Sequence, residues 1–447
     1  MSTWWCEYAQ LPDGLHKGVR LTVDDGRITA VEARTTPAAG DERLAGVVLP
    51  GLANVHSHAF HRALRGRTHG DGGNFWTWRE QMYAVTRRLD PQRYLALARA
   101  VFAEMVLAGY TVVGEFHYLH HDVDGRPYAD PNAMGAALAE AARDAGIRIT
   151  LLDTVYLSGG LFGSGHQPLD DVQVRFTDGS VGAWEQRIAA FDAGPHCKLG
   201  AAIHSVRAVP REHLAEVARV AGGGVGHGPL PLHIHLSEQP AENLACESFY
   251  GLSPTALLQA EGVLGSGTTA VHATHLSDDD IALLGETGTT ACFCPTTERD
   301  LADGIGPAME LARAGSPLTL GSDQHAVIDP FEEIRGLEMN ERLRSLERGR
   351  FTSGELLYAA GPAGHRALGW SGGGVLAVGA LADFVAVSID GPRTAGCGPD
   401  QILYAATGAD VTDVVTAGEP VVRGRAHRLG DVGALLRSAI SPLRASS

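Results

Sequence analysis

The sequence predicts an α/β protein: a (β/α)8 TIM barrel with a small composite β-sandwich domain built from both chain ends. Three observations carry that expectation. Between residues 49 and 371, helical stretches feed short apolar strand-like runs in eight successive units, which is what such a barrel with insertions requires. Residues 1–48 and 372–447 read instead as short strands punctuated by Gly and Pro, so the two ends are expected to join in one β domain. No GxGxxG follows the first strand, which leaves an open doubly wound sheet in second place.

In chain order, GVRLTVDDGRITAVEART alternates apolar and polar residues, with DDG as a hairpin turn. VVLPGLANV then reads as one buried strand opening the barrel. RYLALARAVFAEMVLAGY leads into TVVGEFH, AMGAALAEAARDAG into IRITLLDTVYL, WEQRIAAFDAG into KLGAAIHS, and REHLAEVARVAGGG into LPLHIHLSE. SPTALLQAEGVL leads into TTAVHATH, DDDIALLGETG into TTACFCP, and AMELARAG into SPLTLGSDQ. The stretches VLAVGALADFVAVSI and ILYAATGADVTDVVTAGEPVVRGR are the expected C-terminal strands, and the Gly-rich GGLFGSGHQPLDD, GGGVGHGPLP and WSGGGV read as loops.

Composition narrows the class. A chain of 447 residues, 44% hydrophobic, buries a large core. No stretch reaches the ~18 apolar residues of a membrane span, and MSTWWCEYAQLPDG has neither a basic nor an apolar leader region, so a soluble cytoplasmic protein without membrane contact is expected. A net charge of −16 with dispersed Lys and Arg argues against nucleic acid. The six cysteines are scattered, and Cys292 and Cys294 read as strand packing rather than a thiolate pair for metal.

Barrel active sites lie at the C-terminal ends of the strands, so the polar residues closing each run carry the chemistry. Strand one ends in His56 and His58, two in Glu115, His117 and Tyr118, four in His204 and Arg207, five in His233, His235 and Glu238, six in His272 and His275, and eight in Asp323 and His325. His56 and His58 are two apart on a strand and share a face. With His235 and Asp323 from strands five and eight they form a nitrogen and oxygen set suited to one divalent metal ion, with zinc the preferred choice. His233 lies one pleat deeper and is read as packing, and Lys198 sits at the wrong end of strand four to bridge two ions.

These residues resemble the amidohydrolase superfamily. VHSHAFHRALRG, FWTWRE, AAIHSVRAV, HIHLSEQ, VHATHLSDDDI and CPTTERDLADGI are similar, over nearly the whole chain, to the formimidoylglutamate deiminase family within it. The resemblance implies metal-dependent hydrolysis of N-formimino-L-glutamate to N-formyl-L-glutamate and ammonia in histidine degradation, a small dicarboxylate substrate and a homodimer. In that chemistry Glu238, three residues past His235, acts as general acid and base; His272 polarises the attacked carbon or stabilises the tetrahedral intermediate; Asp323 both ligates and accepts a proton. Arg207 offers a bidentate fork to a carboxylate, with His204, Tyr118, Arg79 and His61 as further substrate contacts. His61 stands where that family often carries glutamine. Trp76 and Trp78 are expected to pack a loop wall, Glu298 to approach substrate, and His117, His120, His121, His275 and His325 to surround the mouth. Two other readings stand beside this one: an aminohydrolase of a purine, pyrimidine or related heterocycle, favoured by aromatic residues in the pocket, and a barrel that only binds.

Overall fold

The computed structural model describes residues 1–69, 75–192 and 194–444, without the side chains of 75–77. The N-terminal strands β1 (Ser2–Leu11), β2 (Gly14–Asp24), β3 (Arg27–Glu32) and β4 (Glu42–Pro50) form half of one eight-stranded sheet. The expected DDG turn joins β2 to β3, with Asp25 at φ 47° and Gly26 at φ 69°, the left-handed pair that a two-residue hairpin demands.

VVLPGLANV is two strands, not one. Pro50 pairs with Phe384 in the first sheet, whereas Leu52 pairs with Tyr110 in the barrel. The chain changes sheets at Gly51, where a Cβ would lie 2.2 Å from Thr111 Oγ1. From there the barrel strands are β5 (Leu52–Ser57), β6 (Tyr110–His117) and β7 (Arg148–Val155). The Gly-rich piece expected as loop contains a small hairpin, β8 (Gly160–Phe162) with β9 (Gly165–Gln167). The barrel continues with β10 (Cys197–Ile203), β11 (Leu232–Leu236), β12 (Thr268–His272), β13 (Thr290–Phe293) and β14 (Leu318–Leu320). Neighbouring barrel strands are parallel in the order β14-β13-β12-β11-β10-β7-β6-β5.

The two ends of that order meet at a parallel bridge between Ser57 and Asp323. There Asp323 N donates to His56 O at 2.9 Å and His58 N to Asp323 O at 3.1 Å. The seam that closes the barrel therefore holds three of the residues singled out above.

The chain end returns β15 (Phe384–Val387), β16 (Val411–Thr416), β17 (Glu419–Arg423) and β18 (Ala426–His427) to the first sheet, with β15 antiparallel to β4. The bridge from Arg27 to Leu381 folds the β3 edge back over a core containing Trp4, Leu21, Val48 and Phe384. Residues 375–383, expected as strand, carry no strand longer than a bridge, and Ile402–Ala405 is helical. A terminal helix that the strand reading passed over, Val432–Ile440, is capped by the Asp431 carboxylate accepting from Ala434 N and packs on helix Pro91–Ala108. Among the described residues no helix is long and apolar enough to cross a membrane.

Candidate metal centre and active-site pocket

At the barrel mouth the four residues from strands β5, β11 and the end of β14 converge. His56 Nε2 lies 3.3 Å and His58 Nε2 3.4 Å from Asp323 Oδ1, and His235 Nε2 lies 3.1 Å from His56 Nε2. Ligands ~2.0–2.1 Å from a tetrahedral zinc ion stand ~3.3 Å apart, which matches these three separations; the close groups are two trios that share His56, one with His58 and Asp323 and one with His235 and His272. Their tautomers fit as well. His58 Nδ1 donates to Phe116 O at 3.0 Å and His235 Nδ1 to His204 O at 2.8 Å, which leaves each Nε2 lone pair for a cation. Burial pushes His56 and His235 well below the usual imidazole range and His58 down to about 3, keeping the rings neutral as ligation requires. The residues present fit a divalent ion.

Backbone conformation is part of this convergence. Ser237, His272, Ala273, Asp323 and His325 all have φ between 42° and 72°, in the left-handed region that L residues avoid. Such residues cost about 1–3 kcal/mol each and persist where surrounding structure holds them, here at the ends of β11, β12 and β14.

Beside the cluster, Glu238 Oε1 lies 3.9 Å from His272 Nε2, which is itself 3.9 Å from Asp323 Oδ2. His272 Nδ1 faces Glu298 Oε1 at 3.5 Å. Burial opposes a charge on His272, but Glu238, Glu298 and Asp323 outweigh it and push the ring up to about 10. A cavity of about 490 Å³ opens from this point. Its lining includes His58, His235, Glu238, His272 and Asp323, and also His61, Arg79, Tyr118, His204 and Arg207. His61 Nε2 is hydrogen-bonded to Tyr118 OH at 3.2 Å. Arg79 Nε donates to Tyr83 OH at 2.7 Å, and Arg207 Nη2 donates to Glu238 Oε2 at 3.1 Å.

Several expectations about the rim change. His117, His120, His121, His275 and His325 do not line the cavity. On β6 the strand alternation turns Phe116 inward against His56, His58 and His235, so His117 points outward toward Gly135 on the surrounding helix. His120 and His121 join a buried ionic network with Asp153, Asp178 and Arg187. His117, His120 and Asp153 lie close enough together to suggest a second cation site, but both Asp153 oxygens are already held by Arg187, at 2.7 and 2.9 Å, and Oδ1 also accepts from Trp184 Nε1 at 3.0 Å. His275 Nε2 donates to Asp303 O, and His325 lies between Ser57 and Ser322. Glu298 does not line the cavity; its Oε1 accepts from Cys294 N at 2.7 Å and turns toward His272. Trp78 does line the cavity, and the Trp76 side chain lies outside the described residues.

Tyr83, Tyr156, Phe176 and Glu242 were not singled out from the sequence. Tyr83, Tyr156 and Phe176 line the cavity, and Glu242 lies buried behind Arg207 with Oε2 3.3 Å from its Nε. Glu115 accepts from Ser57 Oγ and Ala59 N at 2.6 Å each and braces the loop that carries His58; burial still pushes it up to about 8.

The amidohydrolase family model matches residues 47–421. The chain belongs to the amidohydrolase family. It is 39% identical, over 96% of both chains, to the formimidoylglutamate deiminase of Pseudomonas aeruginosa. Over 96% of both chains it is 30% identical to the 8-oxoguanine deaminase of the same organism. A crystal structure of an amidohydrolase from Brucella melitensis superposes with a TM-score of 0.88 at 33% identity, covering 100% of each chain. As an amidohydrolase the chain is a hydrolytic enzyme, and the nitrogen and oxygen cluster lies at the strand ends where barrel enzymes place their chemistry.

Proposed function

We propose that the chain hydrolyses N-formimino-L-glutamate to N-formyl-L-glutamate and ammonia. The observation that carries this reading is the meeting of a cation-holding cluster and two guanidinium groups, Arg79 and Arg207, in one cavity. A substrate with two carboxylates and one amidine carbon asks for that combination. The 39% identity to a formimidoylglutamate deiminase supports the same choice.

His56, His58, His235 and Asp323 would hold one divalent ion, with zinc suited to their donor atoms. When bound, that ion supplies the Lewis acidity that makes water a nucleophile near neutral pH. A single ion agrees with Lys198, which lies at the opposite end of β10 with Nζ 5.1 Å from the Trp370 ring centroid.

Glu238 lines the cavity beside His272, so it takes a proton from the water that adds to the formimino carbon. The carboxyl group passes this proton to the formimino nitrogen; the hydroxyl proton of the tetrahedral centre, taken by Asp323, follows it to the same nitrogen as the C–N bond breaks, which releases ammonia and leaves a formyl amide. His272, held charged by Glu238, Glu298 and Asp323, donates toward the developing tetrahedral centre. Asp323 Oδ2, on the side facing His272, is placed to hold a proton in transit. Arg207 and Arg79, with His204, Tyr118 and His61 in the same lining, bind the two carboxylates. The proposal extends to a cytoplasmic homodimer acting in histidine degradation.

A second reading, an aminohydrolase of a purine or related ring, is favoured by the aromatic side chains of Trp78, Tyr83, Tyr118, Tyr156 and Phe176 in the same cavity. Ammonia release from N-formimino-L-glutamate and from guanine, with and without chelator, separates the two. Release from the first compound alone, abolished by chelator and restored by zinc, is the expected result. Release from guanine alone would establish the ring reading, and release from neither would leave a barrel that only binds.

A further inference from the structure

Arg207 is placed between two carboxylates whose positions differ in kind. Glu238 lines the cavity, and its Oε2 accepts from Arg207 Nη2 at 3.1 Å. Glu242 lies one helical turn further along, 2% exposed, with Oε1 accepting from Ser237 N at 3.2 Å and Oε2 3.3 Å from Arg207 Nε. Its helix, Pro240–Tyr250, begins directly after the β11 loop that carries Glu238. A carboxylate this deeply buried is costly unless paired, and Arg207 is the cation beside it. Neither Arg207 Nε nor Glu242 Oε2 makes a hydrogen bond among the described residues, so the two meet as a close ion pair at 3.3 Å.

We propose that Glu242 is the positioning residue for substrate-carboxylate recognition: paired with Arg207 at Nε, it keeps the guanidinium fixed in the cavity lining. The inference rests on the dicarboxylate reading above. An arginine guanidinium has two bidentate edges, Nε/Nη2 and Nη1/Nη2, on a long flexible stem, and its fork discriminates only when the plane is fixed. Glu242 supplies a fixed anchor because its own carboxylate is tied to the Ser237 backbone. Glu238 cannot serve as that anchor alone, since a carboxylate that also moves protons must change charge during turnover. Glu242 thus lets Arg207 keep its orientation while Glu238 passes a proton to and fro in turnover. It touches no reacting atom and acts entirely through Arg207.

A double-mutant cycle tests this. Glu242→Gln, Arg207→Met and the double variant are compared by kcat/KM for N-formimino-L-glutamate, and by calorimetric Kd for N-formyl-L-glutamate. Metal content and circular dichroism are recorded on each preparation. Breaking one side of a buried charged pair is expected to lower kcat/KM and weaken the Kd by about 10- to 100-fold in the wild-type background. In the Arg207→Met background the same change is expected to cost less than about threefold, because the residue it acts through is gone. Equal losses in both backgrounds, or no loss in the first, would overturn the inference. Should Glu242→Gln fail to fold, Glu242→Asp, which keeps the charge but shortens the reach, takes its place in the cycle with the same two outcomes. Wild-type protein that is metal-replete yet releases no ammonia overturns the dicarboxylate reading and this inference together, whereas a turning-over wild type with an additive cycle overturns the role of Glu242 alone.

Discussion

Replacing Glu238 by Gln removes the proposed acid and base while keeping its shape. The side chain is 9% exposed, with Oε1 3.9 Å from His272 Nε2 and Oε2 3.1 Å from Arg207 Nη2. Glutamine fits the same space, and Arg207 keeps Glu242 as a partner, so the pocket should survive. Positioned acid–base catalysis contributes about 10²–10⁴-fold. At about 1.36 kcal/mol per factor of ten, that is roughly 2.7–5.4 kcal/mol of transition-state stabilisation. Because Glu238 is not one of the four residues gathered at the metal cluster, the loss should fall on kcat, with KM changed less than about threefold. Steady-state ammonia release, with metal content measured on the same preparation, checks this. A kcat within tenfold of wild type at unchanged metal content would refute the assignment. Loss of metal in step with activity would refute it differently, by making Glu238 part of the ion's environment.

Other consequences are structural. Arg187→Met leaves the buried carboxylates of Asp153 and Asp178 without the guanidinium that now contacts both, at 2.7 and 2.8 Å. Breaking such a buried network should cost about 3–5 kcal/mol in urea unfolding, and a loss under 1 kcal/mol would show that the network is not load-sharing. Chelated protein should be acid-labile. Burial lowers His58 to about 3, His120 and His233 to about 4, and His56, His204 and His235 in the same direction, whereas the unfolded rings titrate near 6.5. The folded chain therefore binds fewer protons, so stability is complete above pH 6.5 and is lost as the pH falls toward the folded values. At pH 5.5 the loss is about 1.4 kcal/mol per histidine. His272, raised to about 10, has the opposite sign, and its contribution is already full and flat below 6.5. Thermal unfolding of chelated protein from pH 7.5 to 5 reads the slope, and a flat profile would contradict it.

The barrel was legible because a buried parallel strand announces itself as an apolar run ending in polar residues, and TVVGEFH, LPLHIHLSE and SPLTLGSDQ each do so. The break at Gly51 was not, since both halves of VVLPGLANV are equally apolar and only the partner sheet differs. His117 was misplaced toward the mouth because a strand-end histidine points in or out by one residue of alternation, and Phe116 occupies the inward position. Metal-type residues were visible because histidines two apart on a strand are a local pattern. Partnerships such as Arg187 with Asp153, or Arg207 with Glu242, join residues 34 and 35 positions apart and leave no local trace. The short strand expected near 375–383 failed for another reason: its apolar residues Leu376, Ala380 and Ala382 pack into the sheet's core as irregular chain.

The claim on which the rest depends is that side chains from the first, fifth and eighth barrel strands hold one cation. Anomalous diffraction at the zinc absorption edge, on crystals of zinc-replete protein, tests it directly. The expected map has one strong peak bonded to His56 Nε2, His58 Nε2, His235 Nε2 and an Asp323 oxygen. No peak at that point, or a peak between His117, His120 and Asp153 instead, would contradict it.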